Sequence, residues 1–184
     1  MILTATITAL TATSLTIGYD LVNDHKTTIY VADMLYAVAP DGGHRPDPTL
    51  AYAVAQVDGS LILSKELVPI PPGIKAERPE MPYFVAMQPG ERRSGTIVLA
   101  QPIAPFHPYR AFTTAAAPQP VTTVTVRFGY LEADTFRKGE IVVEPRPSGL
   151  FVADYGNALA HQKIATVTLR PPAGVTALAV TGHR

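Results

Sequence analysis

The stretch Leu15-Thr16-Ile17-Gly18-Tyr19-Asp20-Leu21-Val22-Asn23 decides how the rest of the chain is read. Its apolar side chains fall at Leu15, Ile17, Tyr19 and Leu21, with Thr16, Gly18 and Asp20 between them. That is the period of two of a strand with one face buried. Residues 2–10 form another Thr-rich alternating run before it. After it, Asn23-Asp24-His25-Lys26 is a polar cluster of turn-forming residues, so the chain is expected to reverse there.

The same grammar continues outward. Residues 28–38 are β-branched and aromatic, whereas 40–48 hold two Gly, three Pro and two Asp and are expected to form an exposed loop. Residues 50–57 and 60–68 flank Asp58-Gly59, a dipeptide suited to a two-residue type I′ hairpin turn. Five prolines in residues 69–82 remove too many backbone donors for a ladder, so this segment should cross the outside of the sheets. A short strand is expected at 83–87, a turn at Pro89-Gly90 and its returning arm at 92–100. Residues 101–120, again with five prolines, are the longest irregular stretch and read as a functional loop or a linker. Strands at 121–131, 141–144, 163–169 and 175–180 complete the series. Residues 157–164 give one or two helical turns with Asn157 as cap.

Short strands separated by Gly/Pro turns, without long amphipathic helices between them, imply sheet-on-sheet packing. The expected fold is all-β: an antiparallel immunoglobulin-like β-sandwich of about nine or ten strands with long Pro-rich loops, built as one domain over residues 1–184. The 15–23 run, its return strand and the later Pro89-Gly90-Glu91 turn resemble the strand and turn pattern of bacterial immunoglobulin-like domains. They are also similar to the intracellular proteinase inhibitor domains of bacilli, in which an Asn ends an early strand and a Pro-Gly-Glu turn precedes a late one. The resemblance covers roughly the first hundred residues and carries no functional residue across.

Composition narrows the function classes. Of 184 residues 47% are hydrophobic and 16% charged, with Lys+Arg and Asp+Glu equal at 15 each. No overall positive field draws such a chain onto nucleic acid or anionic lipid. Near-zero net charge gives little repulsion between copies, which leaves a homo-oligomer open. The absence of cysteine excludes disulfides, thiolate nucleophiles and sulfur-ligated metals. The N-terminal run carries no basic segment ahead of a continuous apolar one, and no stretch has the 18 or so apolar residues of a spanning helix. A cytoplasmic, membrane-free location is the expectation.

No chemistry-bearing motif stands out. No serine sits in a Gly-x-Ser-x-Gly elbow, and Gly42-Gly43 is explained by a turn rather than a phosphate loop. His25, His44, His107, His161 and His183 are dispersed, without the spacing that presents two imidazoles to one metal. Asp41, Asp47 and Asp58 lack the alternation of a calcium loop. The acids Glu77, Glu80, Glu91, Asp134, Glu140 and Glu144 lie near turns or strand ends. No cofactor, metal ligand or catalytic residue is therefore assigned.

One segment concentrates recognition chemistry: Phe106-His107-Pro108-Tyr109-Arg110-Ala111-Phe112. Aromatic and Arg side chains are frequent interface anchors, so Phe106, His107, Tyr109 and Arg110 are the candidate binding residues. The competing explanation is a hydrophobic lid over one end of the sandwich, with Arg110 reaching solvent. Read together, these features point to a non-enzymatic protein-interaction or structural module that meets another protein through its end loops or an exposed strand edge. Two alternatives stand beside it. One is a proteinase-inhibitor-like protein using a proline-stiffened loop. The other is a β-sandwich enzyme or carbohydrate-binding module with His107, Tyr109 and nearby acids in a pocket.

Overall fold

The structure is a computed structural model that describes residues 1–38, 43–76, 79–134, 143–146 and 148–183. Asp41, Gly42, Glu77, Glu140 and the first two residues of the strand expected at 141–144 lie outside them. In chain order the elements are β1 (Ile2–Leu10), β2 (Ser14–Val22), β3 (Ile29–Val38), β4 (His44–Asp47), β5 (Tyr52–Ala55) and β6 (Ser60–Lys65). They continue with β7 (Tyr83–Met87), β8 (Arg92–Ala100), β9 (Phe112–Thr114), β10 (Gln119–Pro120) and β11 (Thr123–Glu132). The last are β12 (Val143–Pro145), β13 (Phe151–Ala153), α1 (Tyr155–His161), β14 (Lys163–Leu169), β15 (Thr176–Ala177) and β16 (Val180–His183). The chain is thus all-β with one short helix, and among the described residues no helix is long and apolar enough to cross a membrane.

Three strands, β1-β2-β8, form one antiparallel sheet, and a nine-stranded sheet runs β12-β13-β7-β3-β11-β6-β5, with β14 added to β11 and β4 to β3. The alternation at 15–21 is realised as read: Leu15, Ile17, Tyr19 and Leu21 are all buried. They meet Val31, Leu61, Leu63, Val124, Val126 and Phe128 of the larger sheet in one apolar cluster. Each such side chain contributes about 1.5–3 kcal/mol by leaving water, so this cluster carries the stability of the fold. Asn23 is fully buried where β2 ends. Its amide donates to Thr27 O and Met87 O, each at 2.9 Å, and its backbone exchanges hydrogen bonds with Glu91 and Gly90. The Asn that ends the early strand and the Pro89-Gly90-Glu91 turn therefore sit against each other.

Several expectations change in the folded chain. The 44–47 portion of the expected loop is a strand, because it pairs antiparallel with Leu35 to Val38 of β3. The β5–β6 hairpin forms about Asp58-Gly59, but its turn spans four residues. Gly59 N–H donates to Gln56 O at 3.1 Å, and Gly59 alone has positive φ, +85°, so the turn is not type I′. Antiparallel pairing is not universal: β6 and β11 run parallel, from Thr123↔Ser60 to Phe128↔Lys65, and the Ile103↔Ala177 bridge is parallel too. The helix starts two residues before Asn157, with Asp154 in the N-cap position; Asn157 donates to the Asp154 carboxylate at 2.8 Å. Among the described residues there are sixteen strands, because short pieces such as β9, β10, β15 and β16 arise only through distant pairing.

That pairing also ties parts of 101–120 to the C-terminal residues. Ile103 N–H donates to Thr176 O, and Ile103 O accepts from Leu178 N–H, each at 2.9 Å. β10 pairs with β15, and β9 with β16. The segment is zipped to the C-terminal strand, whose Val175, Ala177 and Ala179 are buried. The proline-rich crossing is secured differently. Tyr155 Oη donates to Val68 O at 2.8 Å and accepts from Ile70 N–H at 2.9 Å. Tyr109 Oη accepts from Glu80 N–H at 2.7 Å, and Tyr36 Oη from Met81 N–H at 3.3 Å. Phenol oxygens supply the partners that a proline-rich backbone cannot find in a ladder.

A buried polar network joins the two sheets. Lys65 of β6 has no exposed surface. Its Nζ donates to Asp33 O at 2.9 Å, Tyr19 Oη at 3.1 Å and Pro48 O at 2.5 Å, and lies 3.4 Å from Asp33 Oδ1. Tyr19 Oη donates to Asp33 Oδ1, and Arg93 Nε to Asp33 Oδ2, each at 2.5 Å. Burial lowers the affinity of Lys65 for its proton, opposed by Asp33; burial and then Asp33 push the Tyr19 phenol well up, so it stays a donor. Gly95, opposite Tyr19 on β8, makes this arrangement possible, because a Cβ there would collide with the Tyr19 ring and hydroxyl.

Asp33→Ala leaves the Lys65 ammonium buried without its counter-charge and is expected to lower the unfolding free energy by about 3–5 kcal/mol in a urea titration. Asp33→Leu combined with Lys65→Met should recover much of that loss; a double variant as unstable as Asp33→Ala would contradict this account of the network.

Candidate functional site

Alternation along β5 and β6 sends Ala53, Ala55, Leu61, Leu63 and Lys65 inward and leaves Tyr52, Val54, Ile62 and Ser64 on the opposite face. Register places Tyr52 beside Ser64 and, through the parallel pair, Ser64 beside Arg127 of β11. This outer face is divided along β11. Beyond Phe128 it is covered, since Leu131 packs with Ala32, Leu67, Phe84 and Ala158 of α1 in a second apolar cluster. Gly129 leaves room there for Gln162, whose side-chain amide accepts from Leu67 N–H at 2.7 Å and donates to Leu67 O at 3.0 Å.

The remaining part of the face is the floor of a cleft of about 590 Å³. Its roof is the two-stranded β9/β16 sheet with the loop that precedes β9, which brings His107, Arg110, Phe112 and residues 180–182 over the floor. Just past β6, Glu66 accepts from Arg127 Nη2 at 3.1 Å; the two side chains are 12% and 36% exposed. Burial raises the Glu66 carboxyl above its ordinary value, and the Arg127 cation only partly offsets that. Tyr52 and His107 also line a smaller cleft of about 200 Å³ together with Tyr36, Glu80 and Phe106. Burial pushes the Tyr36 and Tyr52 phenols well up, with the Glu80 carboxylate adding to both.

The four sequence candidates separate. His107 and Arg110 line the larger cleft, and Phe106 and His107 the smaller one. Phe106 is held in place by its backbone, which exchanges bonds with Ala53 at 2.8 and 2.9 Å, while its side chain remains 44% exposed beside the Tyr52 ring. His107 Nδ1 accepts from Tyr109 N–H at 3.2 Å, and its ring faces those of Tyr52, Tyr109 and Phe112. Tyr109 lines neither cleft; its hydroxyl is committed to Glu80 N–H, so it anchors the loop. Arg110 is exposed and makes no ion pair among the described residues.

Sequence reasoning missed Tyr52, Ser64, Glu66 and Arg127. The alternation of 52–54 and 62–66 carries a signal for the first three. Nothing local announces Arg127, whose place depends on parallel pairing across about sixty residues of chain. No protein-family model matches the sequence, and no curated protein or solved structure is significantly similar to it.

A carboxyl held above its ordinary value favours the folded state when protonated. The stabilisation is full below the unfolded value of 4.5 and is lost as pH rises through the folded one. Glu66→Gln is therefore expected to unfold at a higher temperature than the parent at pH 7, with the gap closing as the pH falls below 4.5. Thermal melts of both proteins across pH 3.5–7.5 check the direction; a gap that widens in acid would refute it.

Proposed function

We propose that this chain is a non-enzymatic protein-interaction module built on an immunoglobulin-like β-sandwich, and that the 106–112 segment with the cleft it roofs meets a protein partner. The facing sheets and their shared apolar cluster support the sandwich. One observation carries the binding reading: Phe106 is rigidly held yet 44% exposed, four residues from an Arg110 that has no ion-pair partner among the described residues. An aromatic anchor whose backbone is already ordered has little entropy left to lose on association, and aromatic and Arg side chains dominate interface energetics.

The tagged chain, captured from lysate of its native host, should bring down a stoichiometric protein that Phe106→Ala/Arg110→Ala loses and that Ile164→Ala, on the exposed β14 surface, retains. Quantitative mass spectrometry of the three captures makes the comparison, and identical sets from all three would refute the assignment.

A second reading, a proteinase-inhibitor-like protein, is favoured by the loop beyond Val68. Tyr155 clamps its base, Ile74 N–H closes a turn on Pro71 O at 3.2 Å, Gly73 takes positive φ, and Ile74 and Lys75 lie exposed at its tip. Such a pre-shaped loop fits a protease cleft with little further ordering. On that reading the parent inhibits at least one enzyme of a serine and cysteine protease panel at stoichiometric concentration, and Lys75→Ala weakens it at least ten-fold, since every 1.4 kcal/mol is a factor of ten. No inhibition across the panel eliminates it.

A further inference from the structure

We propose that the cleft floored by β5, β6 and β11 is a site for an apolar carboxylate, its anionic group met by Arg110 and Arg127 and its aromatic or branched aliphatic part by Tyr52 and Phe112. This rests on the interaction reading above and deepens it by naming the chemistry that enters. At about 590 Å³ the cleft has the size of a small-ligand site or of one or two peptide residues. Two guanidinium groups line it against one carboxylate, Glu66, although the chain as a whole is neutral. Among the described residues Glu66 engages one of the five N–H donors of Arg127, and Arg110 donates no hydrogen bond. A planar guanidinium fork matches a carboxylate geometrically.

The local balance also selects the charge of the guest. With Arg110, Arg127 and Glu66 the formal sum is one positive charge, so a single carboxylate neutralises the cleft, whereas a doubly charged phosphate would meet repulsion from Glu66. Tyr52, Val54, Ile62 and Phe112 give the rest of the guest an apolar surface on which water is poorly held. A free small acid and the C-terminal carboxylate of a partner share this chemistry.

The full chain is titrated, with protein-observed NMR, against 3-phenylpropanoate, 3-phenylpropanamide, and an acetylated Ala-Ala-Ala-Phe peptide with either a free or an amidated C-terminus. The acid forms should bind about ten-fold more tightly than their amides, with shifts centred on residues 52–66, 107–112 and 180–182. Arg110→Gln, at an exposed side chain outside the core, should abolish that preference. Glu66→Gln should strengthen the acids several-fold and leave the amides unchanged, a split that a purely structural role for Glu66 would not produce. Tighter binding of the peptide acid assigns the site to a partner's C-terminus; tighter binding of the free acid assigns it to a small molecule. Equal binding of acid and amide, no binding of either, or a preference that survives Arg110→Gln overturns the proposal. The interaction reading fails on its own terms, through capture unaffected by Phe106→Ala/Arg110→Ala, so the two failures are distinguishable.

Discussion

An ammonium group with no exposed surface ties the β1-β2-β8 sheet to the nine-stranded one. Removing the Lys65 charge from water costs several kcal/mol, and only a complete set of partners makes that tolerable. Those partners come from β2, β3 and the chain before β5: Tyr19, Asp33 and the carbonyl of Pro48, while Arg93 of β8 holds the other oxygen of the Asp33 carboxylate. The apolar cluster supplies the driving force, but apolar contacts tolerate sliding, whereas a buried cation does not. The relative position of the sheets is thereby specified to within hydrogen-bond tolerance, and the mutually tilted rings of Tyr19 and Phe128, with Nζ 4.9 and 5.5 Å from their centroids, belong to the same arrangement.

The cleft follows from the same alternation. Lys65 points inward, so Ser64 and Glu66 point outward, and parallel pairing with β11 brings Arg127 alongside them. The roof is an indirect product of chain economy. Residues 101–120 carry too many prolines for a long strand of their own, so they pair in fragments with the C-terminal strand, and this lays the 107–112 loop across the outer face of the sheet. Core, floor and roof are therefore coupled, although the residues that line the cleft come from four separate parts of the sequence.

What could be read without the fold depended on how local the cause was. Period-two alternation is imposed by adjacent residues, which is why 2–10 and 15–21 are strands where the pattern placed them. Pro89-Gly90 gave its turn for an equally local reason: Gly90 takes the positive φ that the third position requires. The type I′ assignment at Asp58-Gly59 failed because Asp58 does not adopt positive φ, leaving Gly59 alone to close a longer turn. Phe106, His107 and Arg110 stand out by residue type, and the fold places each of them at a cleft. Tyr109 looked equivalent to them, and only the fold shows its hydroxyl spent on Glu80 N–H.

By itself the sequence determined that the chain would be all-β, where most strands and turns would lie, and which loop would carry aromatic and cationic side chains. Those properties are written in residue type and in spacings of one to four residues. Only the tertiary structure decided that Lys65 would be the buried cation, that β6 and β11 would run parallel, that 101–120 would be knitted to the C-terminal strand, and that Glu66 and Arg127 would share a cleft with Arg110. Each of these depends on which strand pairs with which. That choice is settled by the combined burial and hydrogen bonding of segments distant in sequence, and no local pattern encodes it.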